Sequence, residues 1–280
     1  MNPKPNAVPA WVPTGERDVV RVPDDGIWEG PNALLATTRE YFTSPLHRQC
    51  MQAQKYSWSP VADIAWDRPV TIKPNLQELG WQLASQASYA EQAGLLTAAS
   101  LVACFDDPGA RLNLAFATAD EARHAEVFAR YAVIRGGSLE PTESHLEAMY
   151  DGIISLEDPL ERLIVHVLLE GFAVEQLSLL AEGFSEDVLG SIYRLVRRDE
   201  ARHVAFGMSL IRQEICTRYG ELDLFQQQAE RLGTKTIQLA GVNEGTYEWL
   251  SQLTSTPVDE VRSNLLGRHK QRIAQMCRSH

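Results

Sequence analysis

The sequence predicts an all-α protein with a four-helix core, flanking helices and an irregular N-terminal arm. From residue 75 onward, apolar residues recur at helical spacing over long segments. Short runs that contain proline or glycine separate these segments, and no segment alternates convincingly as a strand would. The 280 residues are enough for one large domain with a sizeable core.

Residues 1–74 are predicted to form the irregular arm, with one short helix. Residues 1–30 are rich in proline, glycine and aspartate and show no period, and Pro31 stands at a first-turn position of the short helix. In residues 49–74, frequent prolines exclude a long helix. We expect Trp58 and Trp66 to anchor this extended segment to the bundle.

Residues 75–218 are predicted to form the four-helix core, and residues 219–280 to add flanking helices within a single domain. Asp-Asp-Pro-Gly ends the first core helix, Gly136-Gly137 ends the second, and Ser185 is a candidate N-cap of the fourth. Residues 138–157 are predicted to be a connection with a short helix. The predicted long helices span residues 75–105, 110–135, 159–182, 185–218, 221–253 and 257–277.

Composition restricts the classes of partner. Lys and Arg total 26 against 37 Asp and Glu, a net charge of −11, which argues against nucleic acid or an anionic membrane as the main partner. The four cysteines are scattered without a Cys-x-x-Cys, which favours a reducing cytoplasm over a disulfide framework. From the first residues we expect no signal peptide, and from the rest of the chain no apolar run of membrane-spanning length.

One phrase, Asp-Glu-Ala-Arg-His, occurs twice, at residues 120–124 and 199–203. Because positions i and i+3 share a helix face, Glu121 and His124 are expected to point in the same direction, and so are Glu200 and His203. A four-helix bundle that holds two metal ions uses two Glu-x-x-His helices and one Glu from each of two other helices. The repeat therefore predicts two halves of a dinuclear metal site and requires two further carboxylates.

The first core helix supplies Glu91, its only acidic residue between Glu78 and Asp106. A lone carboxylate on a helix that reads as buried needs a partner. Glu91 lies about 15 residues before the predicted turn and Glu121 about 12 after it, so at roughly 1.5 Å per residue the two come level across an antiparallel pair.

The third core helix offers Glu170 and Glu175. By the same count Glu170 comes level with Glu200, whereas Glu175 is on the order of 10 Å out of register. Glu170 is therefore assigned, and the spacing to the following motif glutamate is then 30 residues in both halves.

The predicted ligand set is oxygen-rich and hard, with four carboxylates and two imidazoles. Such a set suits two iron ions, Fe²⁺ or Fe³⁺, with manganese an option in one or both positions, better than it suits zinc. The alternative interpretation is that these residues form solvated pairs on helix surfaces. The predicted ligands, which are also the predicted catalytic residues, are Glu91, Glu121, His124, Glu170, Glu200 and His203.

With these residues, the chain resembles the ferritin-like diiron-carboxylate superfamily. It is similar to hydroxylase subunits of bacterial multicomponent monooxygenases, the radical-generating subunit of ribonucleotide reductase and the p-aminobenzoate N-oxygenases. The resemblance covers roughly residues 57–210, although the monooxygenase hydroxylases are much longer chains. The similar stretches are Trp58-Ser-Pro-Val-Ala-Asp-Ile-Ala-Trp66-Asp, Asp106-Asp-Pro-Gly with the first motif, and Leu169-Glu-Gly-Phe with Arg198 and the second motif.

The resemblance also assigns roles around the ligands. It implies that Asp199 orients His124 and that Asp120 orients His203, with Arg123 and Arg202 balancing these aspartates unless they are plain surface arginines. The N-oxygenases carry an additional histidine four residues before the second motif glutamate, where this chain has Val196. His166, four residues before Glu170, could be an extra ligand or a packed histidine.

The implied activity is that of a diiron, O₂-activating monooxygenase that hydroxylates or N-oxygenates a small organic substrate. Electrons would come from a reductase or ferredoxin, since no flavin, nicotinamide or iron–sulfur motif is visible, and similar proteins suggest a homodimer. The alternatives are a ferroxidase or iron store and a radical-generating subunit. The expected pocket residues are Ala87, Gly94, Leu95, Thr118, Ala173, Val174, Leu177 and Phe206.

Overall fold

The computed structural model describes the backbone of residues 44–218 and 222–277, and the side chains of residues 44–215 and 225–277. Within these ranges all regular structure is helical, which confirms the predicted all-α class. The predicted arm over residues 1–30 and the short helix that begins at Pro31 lie outside the described residues. The helices are α1 (Pro45–Lys55), α2 (Pro74–Val102), α3 (Pro108–Gly136), α4 (Ser144–Ile154), α5 (Pro159–Gly183), α6 (Val188–Arg218), α7 (Leu222–Leu239), α8 (Glu244–Thr254) and α9 (Val258–Met276).

Local sequence signals fix most ends of the core helices. α2, α3 and α5 each begin with a proline in the first turn, where the missing N–H removes no helical hydrogen bond. Asp107 and Asp158 cap α3 and α5 by accepting hydrogen bonds from backbone N–H groups of the first turn. α3 ends at Gly136, and its C-cap, Gly137, adopts the left-handed conformation with a φ of 81°.

The four core helices pack as two hairpins, α2 with α3 and α5 with α6. Apolar clusters fill the two ends of this bundle and leave a layer of polar side chains between them. One cluster includes Leu101, Phe105, Leu114, Leu163, Leu168, Phe206 and Leu210. The other includes Trp58, Ala84, Phe128, Tyr131, Leu177, Phe184, Tyr193 and Val196.

The C-terminal region differs from the prediction of one helix over residues 221–253. The structure has two helices, α7 and α8, separated by a turn in which Gly241 has a φ of 63°. Asn243 begins α8 with a capping box, in which its side chain accepts from the Thr246 N–H and the Thr246 hydroxyl accepts from the Asn243 N–H. The sequence carries signals for this break that the prediction overlooked, namely a glycine after the first helix and an asparagine, a favoured N-cap, before the second.

Two further expectations about local structure are wrong. The first part of the segment over residues 49–74 is helical, because α1 continues to Lys55. The predicted N-cap Ser185 precedes the first helical residue, Val188, by three positions. Asp187 takes the capping role instead, since its carboxylate accepts from the Leu189 N–H at 2.9 Å and from the Tyr131 hydroxyl at 2.8 Å.

α5 is long and apolar enough to cross a membrane by length and composition, with a mean hydropathy of 1.6 over an 18-residue window. The expectation that no run reaches this length was therefore wrong. Of that window, 56% is buried inside the protein. Packing against the other core helices accounts for its composition, as in any helix at the centre of a bundle.

His269 of α9 generates a prediction about stability and pH. Its ring is 1% exposed, stacks on Phe172 at 4.6 Å and places Nε2 3.0 Å from the Gly233 carbonyl oxygen. Burial lowers the pKa of His269 below its ordinary value, and the charge of Arg272 adds to this effect. The neutral ring therefore favours folding at neutral pH, and this contribution is lost as the pH falls below about 6.5, the ordinary histidine pKa.

In urea unfolding of the metal-free protein between pH 7.5 and 5.5, we expect the free energy of unfolding to fall less steeply with acidification in His269→Gln than in the wild type. Glutamine can keep a donor near Gly233 but does not titrate. The other ionisable groups are common to both proteins and cancel in the difference. Equal slopes would contradict the prediction.

Candidate metal centre

The structure brings all six predicted ligands together in the polar layer of the bundle. Carboxylate oxygens and imidazole nitrogens form two groups, and within each group the atoms lie within 4.8 Å of one another. Glu121 and Glu200 belong to both groups, so the two groups are parts of one connected set of donor atoms. The first group is Glu91, Glu121, His124 and Glu200, and the second is Glu121, Glu170, Glu200 and His203.

This arrangement follows from helix register. Glu91 faces Glu121 across the α2–α3 hairpin, and Glu170 faces Glu200 across the α5–α6 hairpin. Glu175 lies outside both groups and pairs with Arg272 of α9 instead. Five of the six residues are at most 6% exposed, whereas the Glu91 side chain is 15% exposed at the edge of the layer.

The donor atoms in this layer fit divalent cations. Buried Glu170 Oε1, Glu200 Oε1 and His203 Nδ1 make no hydrogen bond, although native proteins rarely leave such atoms unpaired. His203 Nδ1 lies 3.3–3.6 Å from three carboxylates. Burial raises the pKa of Glu121 well above its ordinary value, and the negative charges of Glu200 and Glu91 raise it further. Cations between these groups would remove both the unpaired atoms and the repulsion.

The two histidines are held by aspartates of the opposite motif. His124 Nε2 lies 3.3 Å from Asp199 Oδ2, and His203 Nε2 lies 3.1 Å from Asp120 Oδ2. If each Nε2–H donates to its aspartate, each Nδ1 presents a lone pair to the centre of the layer. Burial opposes ionisation, but hydrogen bonds from His124 and Trp58 and the charge of Arg202 hold the pKa of Asp199 well below its ordinary value.

Arg123 and Arg202 complete this network. Arg202 donates to Asp120 at 2.6 Å and to Asp199 at 3.0 Å, and Arg123 donates to Asp120 and, at 3.1 Å, to Asp199. Both side chains are 12% exposed, so they are not plain surface arginines. The two guanidinium groups thus neutralise the two buried aspartates and link α3 to α6.

Sequence reasoning missed the role of Trp58, which it treated only as an anchor. The Trp58 indole N–H donates to Asp199 Oδ2 at 2.6 Å, and its ring stacks on His124 with 6.2 Å between centroids. The Arg123 guanidinium lies 5.0 Å from the centre of the indole ring. No sequence signal identifies this contact, because it joins an irregular segment to a helix 141 positions away.

His166 is buried beside the second group. Its Nε2 lies 3.2 Å from Glu170 Oε1, one helical turn away, and its side chain is 7% exposed. It belongs to neither group of clustered donor atoms. Its role as an additional ligand stays a prediction.

A cavity of about 870 Å³ between α2 and α5 opens on the four clustered glutamates. The expected pocket residues Ala87, Gly94, Ala173 and Leu177 line it, but the other expected positions do not: Leu95, Thr118, Val174 and Phe206. Phe206 packs in one of the apolar clusters, and the Thr118 hydroxyl bonds to the Leu114 carbonyl. The expectation failed because the open side of the layer depends on how the helices pair, which helical spacing does not reveal.

Gly94 makes room for one of the shared carboxylates. A Cβ atom at this position would lie 2.7 Å from Glu121 Oε2 and 3.0 Å from its carboxyl carbon. Both distances are too short for unstrained contacts, so any larger residue would displace the Glu121 carboxylate. The lack of a side chain at Gly94 is therefore a requirement of the ligand geometry.

No protein-family model matches the chain, and no curated protein sequence matches it either. Solved structures do match. A variant of an R2-like ligand-binding oxidase with an aerobically reconstituted Fe/Fe cofactor superimposes with a TM-score of 0.68 and 19% identity, covering 91% of this chain and 99% of that chain. A variant with an aerobically reconstituted Mn/Fe cofactor gives a TM-score of 0.67 and 18% identity over 88% and 98%. These similarities confirm the predicted ferritin-like fold.

Gly94→Ala is expected to weaken metal binding about tenfold, the lower end of the effect of perturbing residues that support metal ligands. The added methyl group would push the Glu121 carboxylate from its position between the two groups. Competition with a chromophoric chelator measures the affinity. Gly267→Ala in α9 is the control, since its Cβ would meet nothing within 4 Å. Equal metal affinities in Gly94→Ala and Gly267→Ala would contradict the prediction, because they would show that metal binding does not depend on this position of the Glu121 carboxylate.

Trp58→Phe keeps the aromatic stack on His124 but removes the donor to Asp199. We expect metal affinity to fall by up to about tenfold, because Asp199 then holds His124 less firmly. Trp66→Phe is the matched control, since that indole N–H donates to the Pro60 carbonyl, away from the metal centre. The same chelator competition measures the metal affinity of both variants. A larger loss of affinity in Trp66→Phe than in Trp58→Phe would refute the role assigned to Trp58.

Proposed function

We propose that the protein is a dimetal-carboxylate oxidoreductase that activates O₂ and inserts one oxygen atom into a small organic substrate. The observation that carries the proposal is a buried set of four glutamates and two histidines that opens on a substrate-sized cavity. The R2-like oxidases with Fe/Fe or Mn/Fe cofactors support a redox role for the same fold. By analogy, the metal pair is two iron ions or one manganese and one iron.

The residues present would hold such a pair without rearrangement of the bundle. Glu91, Glu121, His124 and Glu200 would hold one ion, and Glu121, Glu170, Glu200 and His203 would hold the other. Carboxylates and imidazoles are suitable ligands for iron and manganese. When bound, the metals would supply the electron-transfer chemistry for reducing O₂, which protein side chains alone lack.

The chain contributes charge, orientation and exclusion of water. Four carboxylates would offset the charge of two divalent cations, and Asp120 and Asp199 would fix the two histidines so that Nδ1 faces the metals. The apolar clusters above and below the layer keep bulk water from the reacting atoms. The cavity would hold the substrate next to Glu91 and Glu170, on the side away from the arginines.

Monooxygenation consumes O₂, the substrate, two electrons and two protons, and yields the hydroxylated or N-oxygenated product and water. We propose that a reductase or ferredoxin delivers the two electrons. A ferroxidase would need the ligands but not a cavity of about 870 Å³ beside them. The cavity therefore favours an oxygenase over iron storage.

Glu121→Ala tests the proposal, because Glu121 belongs to both ligand groups. After anaerobic loading with Fe²⁺, the wild type is expected to retain about two ions per chain, as a dinuclear bundle site requires, and to consume O₂ on mixing. The variant should lose most of its iron and its O₂ consumption. Glu126→Ala is the control, since Glu126 lies on the same helix with a 42% exposed side chain that pairs with Arg130.

A wild-type protein that binds neither iron nor manganese would overturn the proposal. So would a Glu121→Ala variant whose metal content and O₂ consumption equal those of Glu126→Ala. Circular dichroism of both variants separates loss of the site from loss of the fold.

A further inference from the structure

The cavity beside the metal centre exists because small residues face it from two core helices. Ala87, Ala90 and Gly94 succeed one another at helical spacing along α2, and Ala173 faces them from α5. Larger side chains at these positions would close the gap between the helices. α4, the turn after α7 and the start of α8 cover this gap, so the cavity runs from the ligand glutamates to an outer end near residues 143–145 and 241–246.

Most of the cavity wall is apolar. Its leucines come from α2, α4, α5 and α8, and aromatic rings from α3, α5, α6 and α8 complete it. An apolar molecular body would therefore be desolvated along most of its length, which is the main source of affinity in such sites. The apolar lining residues include Leu83, Leu146, Leu169, Phe172, Leu177 and Trp249.

Most polar groups at the outer end are already engaged. The Gln86 side chain donates to the Pro141 carbonyl and accepts from the Glu143 N–H, and Asn243 and Thr246 cap α8. His145 also lines this end, and its Nδ1 lies 3.0 Å from one oxygen of the Glu143 carboxylate. The Glu143 side chain is 58% exposed and makes no capping hydrogen bond. One carboxylate oxygen is thus available to a bound molecule.

No lysine or arginine lines the cavity along the described chain. Arg123 and Arg202 lie behind the histidines and bind the two aspartates, and Arg272 pairs with Glu175. The two histidines of the wall, His145 and His166, already face the carboxylates of Glu143 and Glu170, so an anionic group in the body or at the outer end would compete with a carboxylate for a cationic partner. A cationic group at the outer end would instead meet Glu143.

We infer that the substrate is an amphiphilic amine, whose apolar body fills the cavity and whose protonated amino group binds Glu143 at the outer end. The inference rests on the proposed function only in treating the bound amine as a substrate. Binding of the amine itself requires neither metal nor O₂. Reaction would then take place on the apolar end, which lies next to Glu91 and Glu170. This geometry selects C–H hydroxylation over N-oxygenation.

The test uses three probes of equal chain length, decylamine, 1-decanol and decanoate, each below its micellar concentration. Trp249 lines the cavity, so quenching of its fluorescence reports binding, and Trp249→Phe verifies the origin of the signal. One titration uses protein loaded with Mn²⁺ alone under anaerobic conditions, where the metals neutralise the inner carboxylates. A second uses metal-free protein.

We expect decylamine to bind about fivefold more tightly than decanol to the Mn²⁺-loaded protein, as for a partly exposed ion pair, and decanoate to bind most weakly. Glu143→Gln should abolish the advantage of the amine. Glu147→Gln, at an exposed position of the same helix outside the cavity lining, should leave it unchanged. Tighter binding of decanoate, or equal amine affinity in the two variants, would overturn the inference.

The outcome is separable from that of the proposed function. Amine selectivity that depends on Glu143 in metal-free protein, together with no binding of iron or manganese, would refute only the oxygenase. Iron-dependent O₂ consumption together with preferential binding of decanoate would refute only the substrate class.

Discussion

The structure depends on one electrostatic constraint, the burial of four carboxylates in a single layer between two apolar clusters. Burying an unpaired carboxylate is unfavourable, and four together repel one another, as the raised pKa of Glu121 shows. The two histidines contribute too little charge to balance them. A pair of divalent cations would balance the charge of the four carboxylates. Such a pair would also explain why donor atoms without hydrogen-bond partners occur in this layer.

The hydrogen-bond network behind the histidines meets a second requirement, which is that the ligands are oriented before metal binding. Each motif supplies a glutamate and a histidine to the centre and an aspartate to the histidine of the other motif. This crossing means that neither half of the repeat is complete alone. The arginines of the two motifs neutralise the aspartates, so the network adds little net charge to the protein interior.

The sequence predicted those features that depend on helical periodicity and on the positions of turns. Register alone selects Glu170 over Glu175, because both hairpins are antiparallel and their turns carry proline or glycine signals. The roles of Trp58 and Gly94 were not predictable, since each depends on an atom brought near by tertiary packing. The break between α7 and α8 was predictable from the sequence, since Gly241 and Asn243 are residues favoured at a helix end and at an N-cap.

The two sides of the polar layer are chemically different, and they have different roles in the site. On the α3 and α6 side, aspartates, arginines and Trp58 fill the space and fix the histidines. On the α2 and α5 side, each helix supplies a single glutamate, and small residues leave a cavity. The cavity reaches the ligand set from this side, and all four glutamates contribute to its wall. Glu91 and Glu170 each belong to one ligand group, whereas Glu121 and Glu200 belong to both, so a change on the α2 and α5 side affects fewer of the clustered donor atoms than a change on the α3 and α6 side.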